Sequence, residues 1–355
     1  MKRIGYIDGI KGIGALMVFL THYRMMGLFY PNTFFFDNPF FRLIMSGNLA
    51  VHIFLLVSGF CVVLSVVDKI QYDMKGLQTI VLKRYFRLAL PIAFILLLEG
   101  VLYIWGAFPP HNWVLQFGVR ESVVDAYQDL SLLKLLAAIL LSPLGINCGW
   151  LSPLWMLKYI FLGTFLIIII RIGTSGLSFK LKLFWNLFFI IIFGFISEYY
   201  ISVLMGNFLY EISFLNKSCN SRIQKSIKEV IAFLLLVVGI VLFVYIDKII
   251  NFFIAFLLVS SVFISDVMQR FLSRNVFLWL GTISFSLYLI HWPLICSYSL
   301  WGGHNLFCFS NPYINAICLF STTVLLLFVL SSLYTKYIEK QVCSYLLNFL
   351  QKRIM

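Results

Sequence analysis

A succession of long apolar runs, separated by short basic clusters, restricts this chain more than any other feature. The runs cover approximately 8–28, 44–66, 86–107, 153–172, 183–197, 201–215, 229–247, 249–266, 277–300 and 313–335. Most approach the ~20 residues that a helix needs to cross the hydrocarbon layer. In lipid only helices and closed barrels satisfy every backbone polar group, and runs of this length read as helices. Hydrophobic residues make up 61% of the chain and charged residues 12%. A soluble domain carries about 25% charged residues, so this chain could not cover a water-facing surface. The expected fold class is all-α, a polytopic membrane helix bundle with about ten transmembrane helices. The short pair 183–197 and 201–215 is either two tilted helices or one broken re-entrant element. The brief apolar stretch 130–143 is expected to be an interfacial helix on the outer surface. The first run is followed by no small-residue cleavage site and reads as a helix that stays.

The net charge of +13 raises the question of nucleic acid, and the placement of the charges excludes it as a partner. Of the 27 lysines and arginines, only Arg24, Arg42, Arg120, Lys134, Lys158 and Lys248 fall on the outer side or in the membrane once the N-terminus is placed in the cytosol. The rest sit on inner segments, which is the positive-inside pattern. Both termini are therefore expected in the cytosol, and the partner these charges imply is the lipid bilayer. The longest outer loop, about 108–152, carries Pro109, Pro110, His111 and Trp113. The seven cysteines show no metal-ligand spacing, so no metal is expected. Cys148 and Cys308 share the predicted outer side and could pair.

An ionisable group at membrane depth is costly and is a functional hypothesis by default. In the first helix, Lys11 and His22 are eleven residues apart, which leaves them about 20° apart around a helix and about 16 Å apart along it. Asp8 lies one turn before Lys11 and can pair with it, and glycines 9, 12 and 14 allow a close neighbour. The bland reading of His22 is an inert interfacial histidine; its register with Lys11 favours function. In the second helix, Ser58 and Gly59 mark a polar spot whose plainest meaning is helix packing. Lys83, Arg84 and Arg87 lie on the cytosolic border, with Arg84 and Arg87 one turn apart. They are either positive-inside anchors or a clamp for an anionic cytosolic ligand, since guanidinium forks bind phosphate bidentately. His291 stands deep in an apolar run beside Trp292, and Pro293 should distort the helix there. Glu99, Glu211 and Asp266 have no partner legible in sequence, and Glu339 beside Lys336 and Lys340 reads as local pairing.

Taken together, DGIKGIGALMVFLTH, NLAVHIFLLVSGF, KRYFRLALP, FLGTISFSLYLIHWPLI and YIEK resemble the integral membrane acyltransferase family 3, which includes bacterial O-acetyltransferases of surface polysaccharides. Each motif is modestly specific; five in order at similar spacing are strong. The likeness implies an acyltransferase-type membrane domain over 1–340 and a short cytosolic basic tail over 341–355. It matches Lys11 and His22 to the family's basic residue and histidine of the first helix, and Arg84 and Arg87 to its paired arginines. Trp155 matches a fourth-helix motif in which a glutamate commonly follows five residues later, but position 160 is Ile. That departure puts full activity in question or passes the role to Glu99 or Glu211.

The function implied is transfer of an acetyl or similar acyl group from cytosolic acyl-CoA to a hydroxyl of a surface glycan or lipid-linked sugar, such as lipopolysaccharide O-antigen or exopolysaccharide. The expected location is the inner membrane of a bacterium. His22 and His291 are the catalytic candidates. Lys11, Arg84 and Arg87 are candidates for acetyl-CoA, with Asp8, Ser58 and Trp155 in support. The rival is a transporter of a glycan intermediate that uses the same polar groups without chemistry.

Overall fold

The computed structural model describes residues 4–28, 38–66, 74–108, 131–146, 152–215, 222–246, 250–306 and 310–348. Within them the protein is 89% helical and has no strand. Pro109, Pro110, His111, Trp113, Arg120, Cys148, Trp150, Lys248 and Cys308, and the tail from 349 onward, lie outside the described residues.

In chain order the helices are α1 (Gly5–Met25), α2 (Pro39–Ile44), α3 (Gly47–Val66), α4 (Met74–Ile104) and α5 (Leu132–Leu141). A 3-10 turn, Ser152–Met156, leads into α6 (Leu157–Gly173), followed by α7 (Phe179–Gly194), α8 (Glu198–Leu215) and α9 (Arg222–Tyr245). Then come α10 (Asn251–Ile264), α11 (Asp266–Leu272), α12 (Asn275–Leu294), a π-helical turn Ile295–Ser299, α13 (Leu300–Asn305) and α14 (Pro312–Tyr334), which continues as a π-helix over Thr335–Cys343.

Every apolar run of the sequence is helical, but the count of crossings is narrower than the runs suggest. By length and composition six stretches qualify among the described residues: Gly47–Val66, Val81–Ile104, Pro153–Gly173, Gln224–Tyr245, Asn275–Asn305 and Pro312–Asn348. A seventh is added if α10 and α11, bent by 96° at their junction, form one broken span. α7 has 16 residues, short of the ~20 required. α1 and α8 are diluted by Asp8, Lys11 and His22, and by Glu198, Asn207 and Glu211. Large apolar side chains still face outward along the helices. Phe233 of α9 is 60% exposed and Leu133 of α5 is 78% exposed, which only a lipid surround makes favourable. The chain is a multi-pass, all-helical membrane protein.

The chain divides into two compact units. The first comprises Met1–Gly14, Asn48–Leu82 and Lys158–Thr282. Its helices approach through glycines, because van der Waals contact, not water exclusion, holds helices together in lipid. A methyl group at Gly59 of α3 would run into the Val203 carbonyl of α8, and one at Gly206 of α8 into the Leu56 carbonyl of α3. Gly9 and Gly12 likewise let α1 rest on Leu272 and Leu280, and the bare Gly281 leaves room for the Asp8 carbonyl. The bland reading of the Ser58–Gly59 pair therefore holds for the glycine.

The second unit comprises Ala15–Gly47, Lys83–Leu157 and Ile283–Met355. Buried Phe19 and Tyr23 pack on the half-buried Phe320, an aromatic cluster that joins α1 to α14. The Thr21 hydroxyl reaches the Met45 carbonyl at 2.7 Å, which ties the chain after α2 to α1. α5 is a short amphipathic helix over the stretch expected to be interfacial. Its Leu135 side chain abuts Gly100, and its Leu140 carbonyl accepts from the Tyr85 hydroxyl at 3.2 Å. Gly100 and Tyr85 are fifteen residues apart on α4, so α5 lies along that helix. Leu133, Leu136 and Leu140 remain outward while Leu135 and Ala138 are buried.

Candidate active site

α1 and α12 bring the two histidines singled out in the sequence into direct contact. His22 Nδ1 lies 2.9 Å from His291 Nε2, and the rings stack with centroids 5.0 Å apart. Trp292 meets the His22 ring edge-on at 5.3 Å. His291 is fully buried, whereas His22 is partly exposed. The distortion expected at Pro293 takes a definite form. The proline cannot donate to the helix ladder, and the next turn, Ile295–Ser299, widens to π geometry. The Ser297 hydroxyl caps the Pro293 carbonyl at 2.6 Å, and Ser299 bonds Thr323 of α14 at 3.0 Å. Tyr288, one turn before His291, donates its hydroxyl to the Pro153 carbonyl. His291 is thus held by a helix fastened on both sides of it.

Two neutral imidazoles can share a hydrogen bond only if one donates and the other accepts. In the tautomer in which His22 donates from Nδ1, His291 Nε2 accepts and His22 Nε2 is left with its lone pair.

The remaining sequence candidates fall as follows. Lys11 Nζ stands 4.0 Å from Asp8 Oδ1, the pairing expected from their spacing. Lys11, Asp8 and Ser58 belong to the first unit; His22, His291, Arg84, Arg87 and Trp155 belong to the second. Arg87 is exposed and Arg84 partly buried. Trp155 sits in the 3-10 turn before α6 and is 37% exposed. Ile160 occupies the first turns of α6, where its carbonyl accepts from Thr164 at 2.7 Å. Of the two acids named as substitutes for that glutamate, Glu211 is paired with Arg171, while Glu99 is fully buried in the same unit as the histidines.

Three polar clusters escaped sequence reasoning. In the first unit Arg171 of α6 pairs with Glu211 and donates to Asn207 at 2.8 Å, and Asn207 donates to Asn186 of α7. Removing one partner of such a buried pair typically costs about 3–5 kcal/mol, because the other charge is left stranded. Glu211→Ala should therefore sharply lower the level of folded protein, measured as the detergent-solubilised monodisperse fraction. An Arg171→Met, Glu211→Leu double variant should recover most of it.

His52 of α3 is fully buried. Its Nδ1 bonds Ser202 at 2.7 Å, its ring stacks on Tyr199 at 5.1 Å, and its Nε2 faces Glu198 at 3.9 Å. Glu198 and Ser202 are one turn apart on α8, a spacing visible in the sequence once a histidine opposite them is known. In the second unit Ser286 donates to Glu339 and bonds Thr335 at 2.6 Å. Glu339 thus finds its hydrogen bond on another helix, not in the local pairing expected with Lys336 and Lys340.

The chain is a helical membrane scaffold that brings two histidines of distant helices into contact. The chain matches the acyltransferase domain of acyltransferase family 3 over residues 4–334 and belongs to that family. Neither the curated proteins nor the solved structures contain a match. The protein is a membrane acyltransferase.

Proposed function

We propose that the protein moves an acetyl or similar acyl group from cytosolic acyl-CoA to a hydroxyl of a cell-surface glycan such as O-antigen or exopolysaccharide. It does so in the inner membrane of a bacterium, with about ten crossings and both termini cytosolic. The observation that carries the chemistry is the contact between His22 Nδ1 and His291 Nε2. In this reading His22 Nε2 takes the proton of the acceptor hydroxyl as its oxygen attacks the thioester carbonyl. The C–S bond breaks, CoA leaves as the thiol with that proton, and the glycan keeps the ester. His291 holds the His22 ring and its tautomer. A positioned base of this kind contributes about 10²–10⁴-fold. Arg84 and Arg87 would grip the CoA phosphates, which suits a guanidinium pair one turn apart. Lys11, paired with Asp8, fixes α1, and Trp155 supports the site.

The rival reading, export of a glycan intermediate without chemistry, draws on Ile160 standing where the family commonly has a glutamate. NMR and mass analysis of surface polysaccharide separates the two, using cells with matched membrane levels of wild type, His22→Ala or Arg84→Ala. An added ester with wild type that is lost in both variants supports the enzyme. No ester from any of them, with a change in the amount of exported polysaccharide, transfers the case to export.

A further inference from the structure

Three helix ends of the first unit bring together side chains that the proposed chemistry does not use. They are Glu198, Tyr199 and Tyr200 at the start of α8, Lys158 and Tyr159 at the start of α6, and His52 in the second turn of α3. Lys158 Nζ lies over the Tyr159 ring, 4.9 Å from its centroid. That ring meets Tyr199 at 4.8 Å and Tyr200 at 5.2 Å, and Tyr199 stacks on His52. Tyr159 and His52 are buried, whereas Lys158, Glu198, Tyr199 and Tyr200 are half-buried. Two phenol rings and one charge of each sign therefore reach the surface over a buried aromatic floor. The aromatic belt of a membrane protein accounts for tyrosines at a helix end, but not for His52. Its Nδ1 is taken by Ser202, while its buried Nε2 has no hydrogen-bond partner among the described residues. That nitrogen faces Glu198 Oε1 at 3.9 Å, about 1 Å beyond an N–H···O bond. A buried polar atom left unpaired is unfavourable. Glu198, with its side chain 38% exposed, thus stands between a buried imidazole and the surface.

We infer that Glu198 and Lys158, with the rings of Tyr199 and Tyr200, bind a sugar ring of the glycan. The inference rests on the reading of a glycan as the acyl acceptor. A carboxylate accepts from sugar hydroxyls, and an ammonium donates to their oxygens. The electron-rich faces of the tyrosines suit the C–H side of the ring. An anionic ligand such as a phosphate fits less well, because Glu198 repels it. In the orientation proposed above, the starts of α3, α6 and α8 all lie on the outer side, where a surface glycan is met.

Binding is measured directly, so the test does not depend on acyl transfer. Full-length protein in nanodiscs is titrated with short oligosaccharides cut from the de-esterified surface polysaccharide of the producing cell. A second arm uses the same repeat unit on its lipid carrier, and a third uses CoA. Glu198→Gln should bind the sugar about tenfold more weakly than wild type, as expected for loss of a hydrogen bond to a charged group. Lys158→Met should weaken it by a similar factor, and CoA binding and thermal unfolding should stay as in wild type for both. Weaker binding of both sugar forms assigns the site to the sugar ring wherever it is carried; weaker binding of the lipid-linked form alone assigns it to the precursor. Wild-type sugar affinity in both variants overturns the inference, and so does an equal loss of sugar and CoA, which marks the residues as scaffold. A wild type that binds neither sugar form overturns instead the reading of a glycan acceptor on which the inference stands.

Discussion

Alanine in place of His22 should lower acyl transfer by about 10²–10⁴-fold with protein levels in the membrane near wild type. The side chain is partly exposed and at the end of a long helix, so its loss leaves no large buried void. His291 should behave differently. It is fully buried, and His291→Ala removes both packing and the acceptor for His22 Nδ1, so it should lower folded protein as well as rate. His291→Gln can still accept from His22, and should retain more activity per folded molecule than His291→Ala. Rates on solubilised protein, normalised to the monodisperse fraction, test the pair. Wild-type activity per molecule in His22→Ala would remove His22 as the base.

The second large effect concerns architecture. Gly206→Leu should abolish accumulation of folded protein, because the new side chain would meet the Leu56 carbonyl and the Phe60 amide. Those are backbone atoms of α3, which cannot move aside as a side chain can. Overpacking in a dense core costs about 1–3 kcal/mol where neighbours can yield, and here the helices themselves must separate. Gly59→Leu, which meets the Val203 carbonyl from the opposite side, should fail in the same way. Gly173→Ala at the end of α6 has open space around it and should be harmless. Blue-native gels and thermal unfolding of the three variants suffice, and a stable Gly206→Leu protein would refute the close crossing of α3 and α8.

The site was legible where chemistry and helical spacing coincide. His22 and His291 stood out because a titratable group inside an apolar run needs an explanation, and the two proved to be partners. Lys11 and Asp8 met as their one-turn spacing required. His52 was passed over because its partners, Ser202 and Glu198, come from a helix some 150 positions away. Nothing in VHIFLLVSGF distinguishes a histidine that bonds a serine from one that faces lipid. Arg171 was counted only as an inner positive charge, yet it is buried against Glu211. Charge counting assigns a side and says nothing of burial. Glu339 looked like a partner for its neighbouring lysines because the wider π turns that carry it toward Ser286 leave no mark in composition.

By itself the sequence determined the class of protein. The apolar content and the long runs required a helical membrane protein, because lipid admits only backbones that bond internally, and the resemblance of the ordered motifs implied an acyltransferase. It also determined which groups could carry chemistry. Only the tertiary structure decided who meets whom: the stacked histidines, the glycine crossings of α3 and α8, and α5 packed against α4. Hydropathy reports the solvent a segment prefers, and that preference is the same against lipid as against another apolar helix. Contacts between distant segments depend on shape and on a few polar bonds, which the order of residues along a single helix does not contain.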